Sequence, residues 1–249
     1  LDLLLERNID ISGLEVVKGG KTFFWSGRYH NDLNTRDTLE TQLNVLADFQ
    51  PKVPEDYKNA DVVMLGNLHP LVQSGVLDQM ETKPKLVVLD TMNFWMDCAL
   101  PELLDVMKRV DVITINDEEA RQLSGEYSLV KAAAKIQAMG PKYVVIKKGE
   151  HGALLFHDLQ VFFAPALPLE EVFDPTGAGD TFAGGFAGFI TQSENVSFEN
   201  MKNAIIYGSN LASFCVEKFG TERMIDLDKK EVVSRLKQFK SLTQFDIEL

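Results

Sequence analysis

Short apolar runs alternate with helical patterns from residue 61 to residue 163, and this alternation limits the folds open to the chain. The runs at residues 61–65 and 86–90 are strand-like, and a helical pattern follows each of them. An order of strand, helix and strand requires a parallel sheet with helices on both faces. The run at 86–90 is apolar until Asp90 and is therefore expected to be a central strand. The sequence predicts a three-layer α/β/α fold with a mostly parallel sheet.

The same patterns divide the rest of the chain. Predicted strands are at residues 110–115, 143–146, 153–157 and 160–163, and predicted helices are at 70–80, from 101, 128–139, from 198 and 228–240. The helix from Phe198 is expected to bury an apolar stripe that ends at Phe219. The last helix is expected to bury four side chains: Val232, Val233, Leu236 and Phe239. Before residue 61, two extended pieces around Gly19 and Gly20 and a strand-capable stretch at 38–49 are predicted.

Residues 171–186, Glu-Val-Phe-Asp-Pro-Thr-Gly-Ala-Gly-Asp-Thr-Phe-Ala-Gly-Gly-Phe, predict a strand up to Asp174, a tight turn and a helix. Backbone amides at a helix start lack intrahelical acceptors and, with the helix dipole, attract an anion such as phosphate. Asp180 would repel a phosphate that merely bound. A carboxylate at that place is better explained as a general base beside a transferring phosphoryl group.

Two other interpretations of this stretch compete with phosphoryl transfer. An Asp-Pro before a glycine-rich turn also occurs in some nucleic-acid methyltransferases, but these need a second Asp/Asn-Pro-Pro-aromatic motif, which the sequence lacks. The small residues Ala183, Gly184, Ala187 and Gly188 also suit close helix packing. Packing leaves Asp180 without an explanation.

Composition excludes several classes of partner. The 249 residues carry 25 Lys and Arg against 37 Asp and Glu, a net charge of −12, which argues against nucleic-acid and anionic-membrane surfaces. No apolar run approaches the length of a membrane span. The two cysteines and four histidines show neither a disulfide framework nor zinc-ligand spacing, so we predict no structural metal and a cytoplasmic location.

Residues 174–186 resemble the C-terminal signature of the ribokinase-like (PfkB) family of carbohydrate and nucleoside kinases. The resemblance implies ATP as phosphoryl donor, an anion hole formed by the amides of Gly177, Ala178 and Gly179, and Asp180 as the base that activates the acceptor hydroxyl. It also implies a single Rossmann-like, ribokinase-like domain over residues 1–249, with a small β-sheet lid within 15–49. Because relatives begin with a strand, a turn and a helix, we expect an N-terminal portion to be missing.

A second motif of the family, Asn-x-x-Glu, is matched by Asn116 and Glu119 after the strand predicted at 110–115. The resemblance implies that both serve Mg²⁺ beside ATP, largely through water. Asn116 as N-cap and Glu119 as the third helical residue also fit an ordinary capping box. On this motif alone capping is favoured; the signature at 174–186 shifts the balance towards Mg²⁺.

Further nucleotide and cation contacts follow from the same resemblance. Lys147, Gly149 and Gly152 lie in a turn similar to the nucleotide-side turn of the family, where Lys147 would meet ATP phosphates and Lys148 would be solvated. Ser209 and Gly208 fall where relatives contact adenine, although small residues also let helices approach. Relatives that bind K⁺ do so with residues at the positions of Asp174 and Thr176.

The acceptor is the least constrained part of the prediction. Phe23, Phe24 and Trp25 would cover it in the lid or simply form lid core, and Asp90 and Asn93 would face it or only form a turn. No Arg/Lys cluster for a second phosphate is evident near Asp90. We therefore expect an unphosphorylated sugar, with a nucleoside as the alternative and a non-catalytic sugar or nucleotide sensor as a third hypothesis. A homodimer through the lid is a further prediction.

Overall fold

A computed structural model describes residues 1–31, 33, 36–244 and 246. The described residues form eight strands: β1 (Phe24–Tyr29), β2 (Arg36–Gln42), β3 (Val62–Leu65), β4 (Leu86–Asp90), β5 (Val112–Asn116), β6 (Tyr143–Lys147), β7 (Ala153–His157) and β8 (Gln160–Ala164). β1 and β2 pair antiparallel as a separate sheet, while the other six lie in the order β3-β4-β5-β6-β7-β8. β3 to β6 are parallel, and β7 and β8 run antiparallel to their neighbours. The mostly parallel sheet and the small lid sheet are confirmed.

Helices connect the parallel strands and cover both faces of the large sheet. In the described part of the chain they are α1 (Asp2–Glu6), α2 (Pro70–Asp78), α3 (Asn93–Cys98), α4 (Leu100–Met107), α5 (Asp117–Ser124), α6 (Leu129–Ala138), α7 (Ala178–Ser193), α8 (Phe198–Cys215), α9 (Glu222–Ile225) and α10 (Lys229–Thr243). Short 3₁₀ turns occupy Asn44–Asp48, Glu55–Tyr57 and Gly149–His151. None of the described helices combines the length and apolar character needed to cross a bilayer.

Two apolar cores lie on opposite faces of the sheet, because successive strand side chains alternate between faces. On β4, Val87 and Leu89 pack with Leu103 of α4 and Ile136 of α6. Leu86 and Val88 belong to the other core, which contains helix α7 and α8 side chains such as Phe186 and Ile205. β4 is flanked on both sides and buried along its whole length, as predicted. The three-layer order is therefore built directly by the strand alternation.

The strand predicted before the Asp174 turn is wrong. β8 ends at Ala164, and residues 165–177 form no strand. Pro165, Pro168 and Pro175 lack amide donors and cannot complete a ladder. The amides of Phe173 and Asp174 instead donate to Val216 O, at the end of α8. The turn at residues 174–177, here called the signature turn, is therefore hydrogen-bonded to the end of a helix and not to a sheet edge.

Both strands of the lid sheet lie within residues 15–49, but their limits differ from those of the extended segments predicted there. The first extended piece, before Gly19, is not a strand, because Gly20 N closes a turn onto Val17 O. The stretch at 38–49 is a strand only to Gln42, and a 3₁₀ turn follows. Residues 32, 34 and 35 of the predicted lid lie outside the described residues.

Two predicted buried side chains are exposed. Phe219 is 64% exposed because α8 ends at Cys215, before the predicted stripe does. Val233 of α10 is 43% exposed, while Val232 and Phe239 are buried. The helical spacing was right, but the buried face of α10 is narrower than the run of apolar residues.

Candidate active site

Polar side chains from three neighbouring strands meet at the carboxyl edge of the large sheet. Asp90 ends β4, Thr114 is the only polar residue within the 112–115 run of β5, and Lys147 ends β6. Asp90 Oδ1 accepts hydrogen bonds from Thr114 Oγ1 at 3.0 Å and from Lys147 Nζ at 3.2 Å. Gln73 of α2 donates to the backbone oxygen of Asp90 at 3.1 Å. These bonds hold both the side chain and the backbone of Asp90 in place. Asp90 lies at the carboxyl ends of the strands, where open α/β sheets bind ligands.

Asn116 and Glu119 form the capping box that one interpretation predicted. Asn116 Oδ1 accepts from Glu119 N at 2.8 Å, and Glu119 Oε2 accepts from Asn116 N at 2.7 Å. Glu119 is buried, which raises its pKa to about 7; Asn116 N–H and Lys147 oppose this rise and the Asp90 charge adds to it. The capping is confirmed, and Oε1 is the carboxylate oxygen outside it.

The signature turn precedes a regular α7. Gly177 is the N-cap of α7 with φ +82°, a left-handed conformation that glycine adopts without strain. Thr176 N donates to Asp174 Oδ1 at 2.9 Å, and Ala178 N donates to Pro175 O at 3.2 Å. Both bonds tighten the turn that starts the helix.

The internal bond of Ala178 changes the predicted anion hole. In this conformation the Ala178 amide is taken by Pro175 O, whereas amides in the first helical turn generally lack an intrahelical acceptor. Gly179, the second residue of α7, is therefore better placed than Ala178 to meet an anion. The role of the three amides stays a prediction.

Asp180 lies in the first turn of α7 and is exposed. Partial loss of solvent raises its pKa, the Asp90 charge raises it further, and Lys147 lowers it. A Cβ added at Gly179 would come within 3.2 Å of Lys147 Nζ. The fold thus brings residues 179–180 together with Lys147 and Asp90, which are distant from them in sequence.

The lid contacts this edge of the molecule. Tyr29, the last residue of β1, shares a 3.2 Å hydrogen bond between its hydroxyl and Thr176 Oγ1. Arg36, its partner across the lid sheet, is close enough to lower the pKa of Glu119. Neither residue was predicted, because the sequence around them carries no signal beyond strand propensity.

The lid aromatics are divided between two environments. The Trp25 ring covers Gly27, where an added Cβ would lie 2.2 Å from it, and its Nε1 donates to Thr38 Oγ1. Trp25 is therefore lid packing. Phe23 and Phe24 are 42% and 47% exposed and form no core.

The other residues predicted to contact the nucleotide lie in a turn that requires glycine, at Gly149 and Gly152, or at a helix contact, at Gly208 and Ser209. Gly149 has φ +54° and Gly152 φ +81°, and a Cβ on Gly152 would overlap Ala164 O at 2.0 Å. Gly208, beside the half-buried Ser209, packs against Phe182 O of α7. The turn geometry explains Gly149 and Gly152, and the helix packing explains Gly208. Their role at a nucleotide stays a prediction.

For helix packing the sequence suggested Gly208 correctly, but on α7 it suggested the wrong glycines. Gly185 meets Gly208 across the α7–α8 contact, whereas Gly184 and Gly188 face open space. Asn93, expected beside Asp90, turns to Gln122 of α5 and donates to its Oε1 at 3.0 Å. No group of three or more His, Cys, Asp or Glu side chains within the described ranges is arranged to hold a metal ion.

The model of the pfkB family of carbohydrate kinases matches residues 1–228. The chain belongs to this family. This match confirms the resemblance of residues 174–186. Kinases of the family are phosphotransferases that act on alcohol groups.

Two curated relatives are named for the two substrate classes that the sequence predicted, a nucleoside and a sugar. A cytidine kinase of Thermococcus kodakarensis is 33% identical over 187 residues, which are 73% of this chain and 66% of that protein. A ribokinase of Arabidopsis thaliana is 30% identical over 191 residues, 74% of this chain and 48% of that protein. The chain thus spans about half of the ribokinase and just under two thirds of the cytidine kinase.

A solved structure supports the fold. The nucleoside kinase of Methanocaldococcus jannaschii, described as an archaeal member of the ribokinase family, superposes with a TM-score of 0.74 at 19% identity. The match covers 95% of this chain and 75% of that one. The ribokinase-like fold is therefore shown over nearly the whole chain.

Proposed function

We propose that this protein is an ATP-dependent kinase that transfers the γ-phosphoryl group to a hydroxymethyl group of a sugar. The observation that carries the proposal is the convergence of Asp180, Gly179 and Lys147 at the start of α7, beside the carboxyl edge of the sheet. A base, an amide and a cation at one point suit a reaction that is catalysed by positioning and charge stabilisation.

In this proposal Asp180 takes the proton of the acceptor hydroxyl as its oxygen attacks the γ-phosphorus. The raised pKa of Asp180, caused by partial burial and by the Asp90 charge, makes it a better proton acceptor than an ordinary surface aspartate. The amides of Gly177, Ala178 and Gly179 would face the phosphoryl oxygens, and the Ala178 amide would have to leave Pro175 O to take part. Lys147, Gly149, Gly152 and Ser209 would lie along the nucleotide.

Cations are further proposals. Asn116 and Glu119 fit an outer, water-mediated contact to Mg²⁺ carried by ATP, because Oε1 of Glu119 lies outside the capping box. Bound Mg²⁺ would neutralise phosphate charge. For K⁺, Asp174 and Thr176 supply oxygen atoms in one turn, although Asp174 Oδ1 already accepts from Thr176 N.

For the acceptor we propose an unphosphorylated sugar, with a nucleoside as the alternative. Support comes from the relatives named ribokinase and cytidine kinase, whose named substrates both contain a ribose unit. The Trp25 ring packs onto Gly27 within the lid, so it gives the nucleoside alternative no support. The ribose unit, free or within a nucleoside, is the acceptor group common to the substrates named for both relatives.

Two broader proposals concern location and assembly. Both cysteines are free thiols, which suits a reducing, ATP-containing cytoplasm. The lid exposes Phe23, Phe24 and Leu39, apolar surface that a second copy would cover in a homodimer.

The test is ATP turnover by the protein with a panel of acceptors: ribose, fructose, cytidine, inosine and ribose 5-phosphate. We expect acceptor-dependent ADP formation and a product one phosphate heavier, with ribose or a nucleoside as the best acceptor. Tight binding of a sugar or nucleotide without turnover on any acceptor would favour the sensor. Preference for ribose 5-phosphate would overturn the choice of an unphosphorylated acceptor.

A further inference from the structure

Lys147 lies in a position that packing does not require. Its side chain is 19% exposed, and that of its partner Asp90 is 10% exposed. A nearly buried ion pair is weak evidence for stability, because desolvating two charges offsets most of their attraction. The pair must then be explained by something other than the core beneath it.

Lys147 is a cation among carboxylates at the start of α7. Its ammonium lies beside Gly179, in the first turn of α7, where the helix dipole is positive. Its charge lowers the pKa of Asp180 and of Glu119, and it forms an ion pair with Asp90. A phosphoryl group that approaches these carboxylates needs a cation to offset their repulsion. The bond to Asp90 Oδ1 uses one of the three N–H donors of the ammonium, and a phosphoryl oxygen can accept another.

The position of the ammonium is set by its neighbours. Asp90 Oδ1 is held by Thr114 Oγ1, and the Asp90 backbone oxygen is held by Gln73 Nε2. Gly179 provides the space, since a methyl group there would press on Nζ. Lys148, the next residue, is half-buried; its amide donates to Gly152 O and its backbone oxygen accepts from His151 N.

We propose that Lys147 is a catalytic residue, whose ammonium stabilises the transferring phosphoryl group beside the first turn of α7, and that Asp90 is the positioning residue that holds it there. This rests on the proposed kinase function and assigns its transition-state cation. As the acceptor oxygen bonds to the γ-phosphorus, the bond from phosphorus to the β–γ bridging oxygen breaks. The bridging oxygen leaves with the electron pair as part of ADP. The acceptor proton goes to Asp180, and Lys147 stays protonated throughout.

The experiment compares Lys147→Met with Lys148→Met as the matched control, using ATP and the best acceptor of the panel. Loss of one group that stabilises transition-state charge typically lowers kcat by about 10²–10³. We expect that loss for Lys147→Met with a small change in the KM for ATP, and kcat close to wild type for Lys148→Met. Lys147→Met should also lose the tighter binding of ADP with aluminium fluoride over ADP alone, which a purely structural lysine would not affect.

Asp90→Asn tests the positioning role. It should lower kcat in the wild-type background and lower it much less in the Lys147→Met background, because the two side chains act as one unit. The double variant also removes both buried charges together, and so remains informative if Lys147→Met alone fails to fold. Equal effects of Asp90→Asn in both backgrounds would contradict positioning.

The proposal is wrong if Lys147→Met or the double variant turns over within about threefold of Lys148→Met. That result, in a wild-type enzyme that is active and depends on Asp180, would leave the kinase function standing. Absence of phosphoryl transfer by the wild-type protein to every acceptor would instead overturn the kinase function itself.

Discussion

The carboxyl edge of the large sheet and the two-stranded lid differ in how their polar groups are held. At the sheet edge, Asp90, Thr114 and Glu119 are buried and bonded to neighbours from other elements. In the lid, β2 is exposed along its whole length, and the lid meets the signature turn through an exposed hydrogen bond that Thr176 Oγ1 donates to the Tyr29 hydroxyl. The two regions meet where Arg36 of the lid lies close enough to Glu119 to lower its pKa.

The difference in burial suggests different roles for the two regions, phosphoryl transfer at the sheet edge and acceptor recognition in the lid. Buried polar groups are costly to leave without partners, so those at the sheet edge hold one arrangement. Exposed hydrogen bonds compete with water and contribute little to stability. We infer that the phosphoryl-transfer groups are preorganised by the sheet, whereas the lid can adjust to the acceptor.

The largest expected difference between the two regions is in stability. Leu89→Ala in β4 removes a fully buried side chain and should lower the free energy of unfolding by about 2–5 kcal/mol. Leu39→Ala in β2 removes a side chain that is 57% exposed and should change it by no more than about 0.5 kcal/mol. Chemical denaturation measures both. Equal losses would show that the lid is packed as firmly as the sheet.

The buried carboxyl of Glu119 should make the stability of the sheet edge depend on pH. Its folded pKa of about 7 exceeds the ordinary value of 4.5, so the folded state holds this proton more tightly than the unfolded state. The stabilisation is present below about pH 4.5 and is lost as the pH rises to about 7, by at most about 3 kcal/mol. Relative to Glu119→Gln, wild type should therefore lose stability across that range.

Denaturation from pH 4.5 to 8, without ATP and with EDTA, tests this expectation. Glu118→Gln, at an exposed neighbour, is the matched control, because it removes a negative charge without removing a buried group. A difference between wild type and Glu119→Gln that does not change with pH would contradict the account.

The smallest effect is expected in the lid. Tyr29→Phe removes the hydroxyl that meets Thr176 and should lower stability by less than about 1 kcal/mol. Because the bond holds the lid over the signature turn, the KM for the acceptor should rise while kcat changes little. Tyr57→Phe, which also removes a hydroxyl bonded at the surface, is the control. An unchanged acceptor KM would mean that the lid does not depend on this bond.

The sequence predicted what depends on local periodicity. β4 and α7 follow from an apolar run and from the spacing of Phe182 and Phe186. The strand before Asp174 was wrong because apolar, β-branched residues also suit an extended loop, and the acceptor of the Asp174 amide, Val216, lies about forty residues away.

The candidate site shows the same limit. Asp180 and Asn116 were found from motifs, but the bond between Lys147 and Asp90 joins residues from different strands, and its formation depends on the strand order. Thr114 carried a signal, a single polar residue in an apolar strand. Tyr29 carried none, since its role arises only when the lid meets the signature turn.

The central claim is that Asp180 is the base of a phosphoryl transfer, and the most direct measurement is ATP turnover with the best acceptor by Asp180→Asn. The control is Asp158→Asn, in the β7–β8 hairpin at the opposite edge of the sheet. The account predicts that Asp180→Asn binds ATP much as wild type does and loses about 10²–10⁴ in kcat, while Asp158→Asn remains active. Turnover by Asp180→Asn close to that of wild type would contradict it.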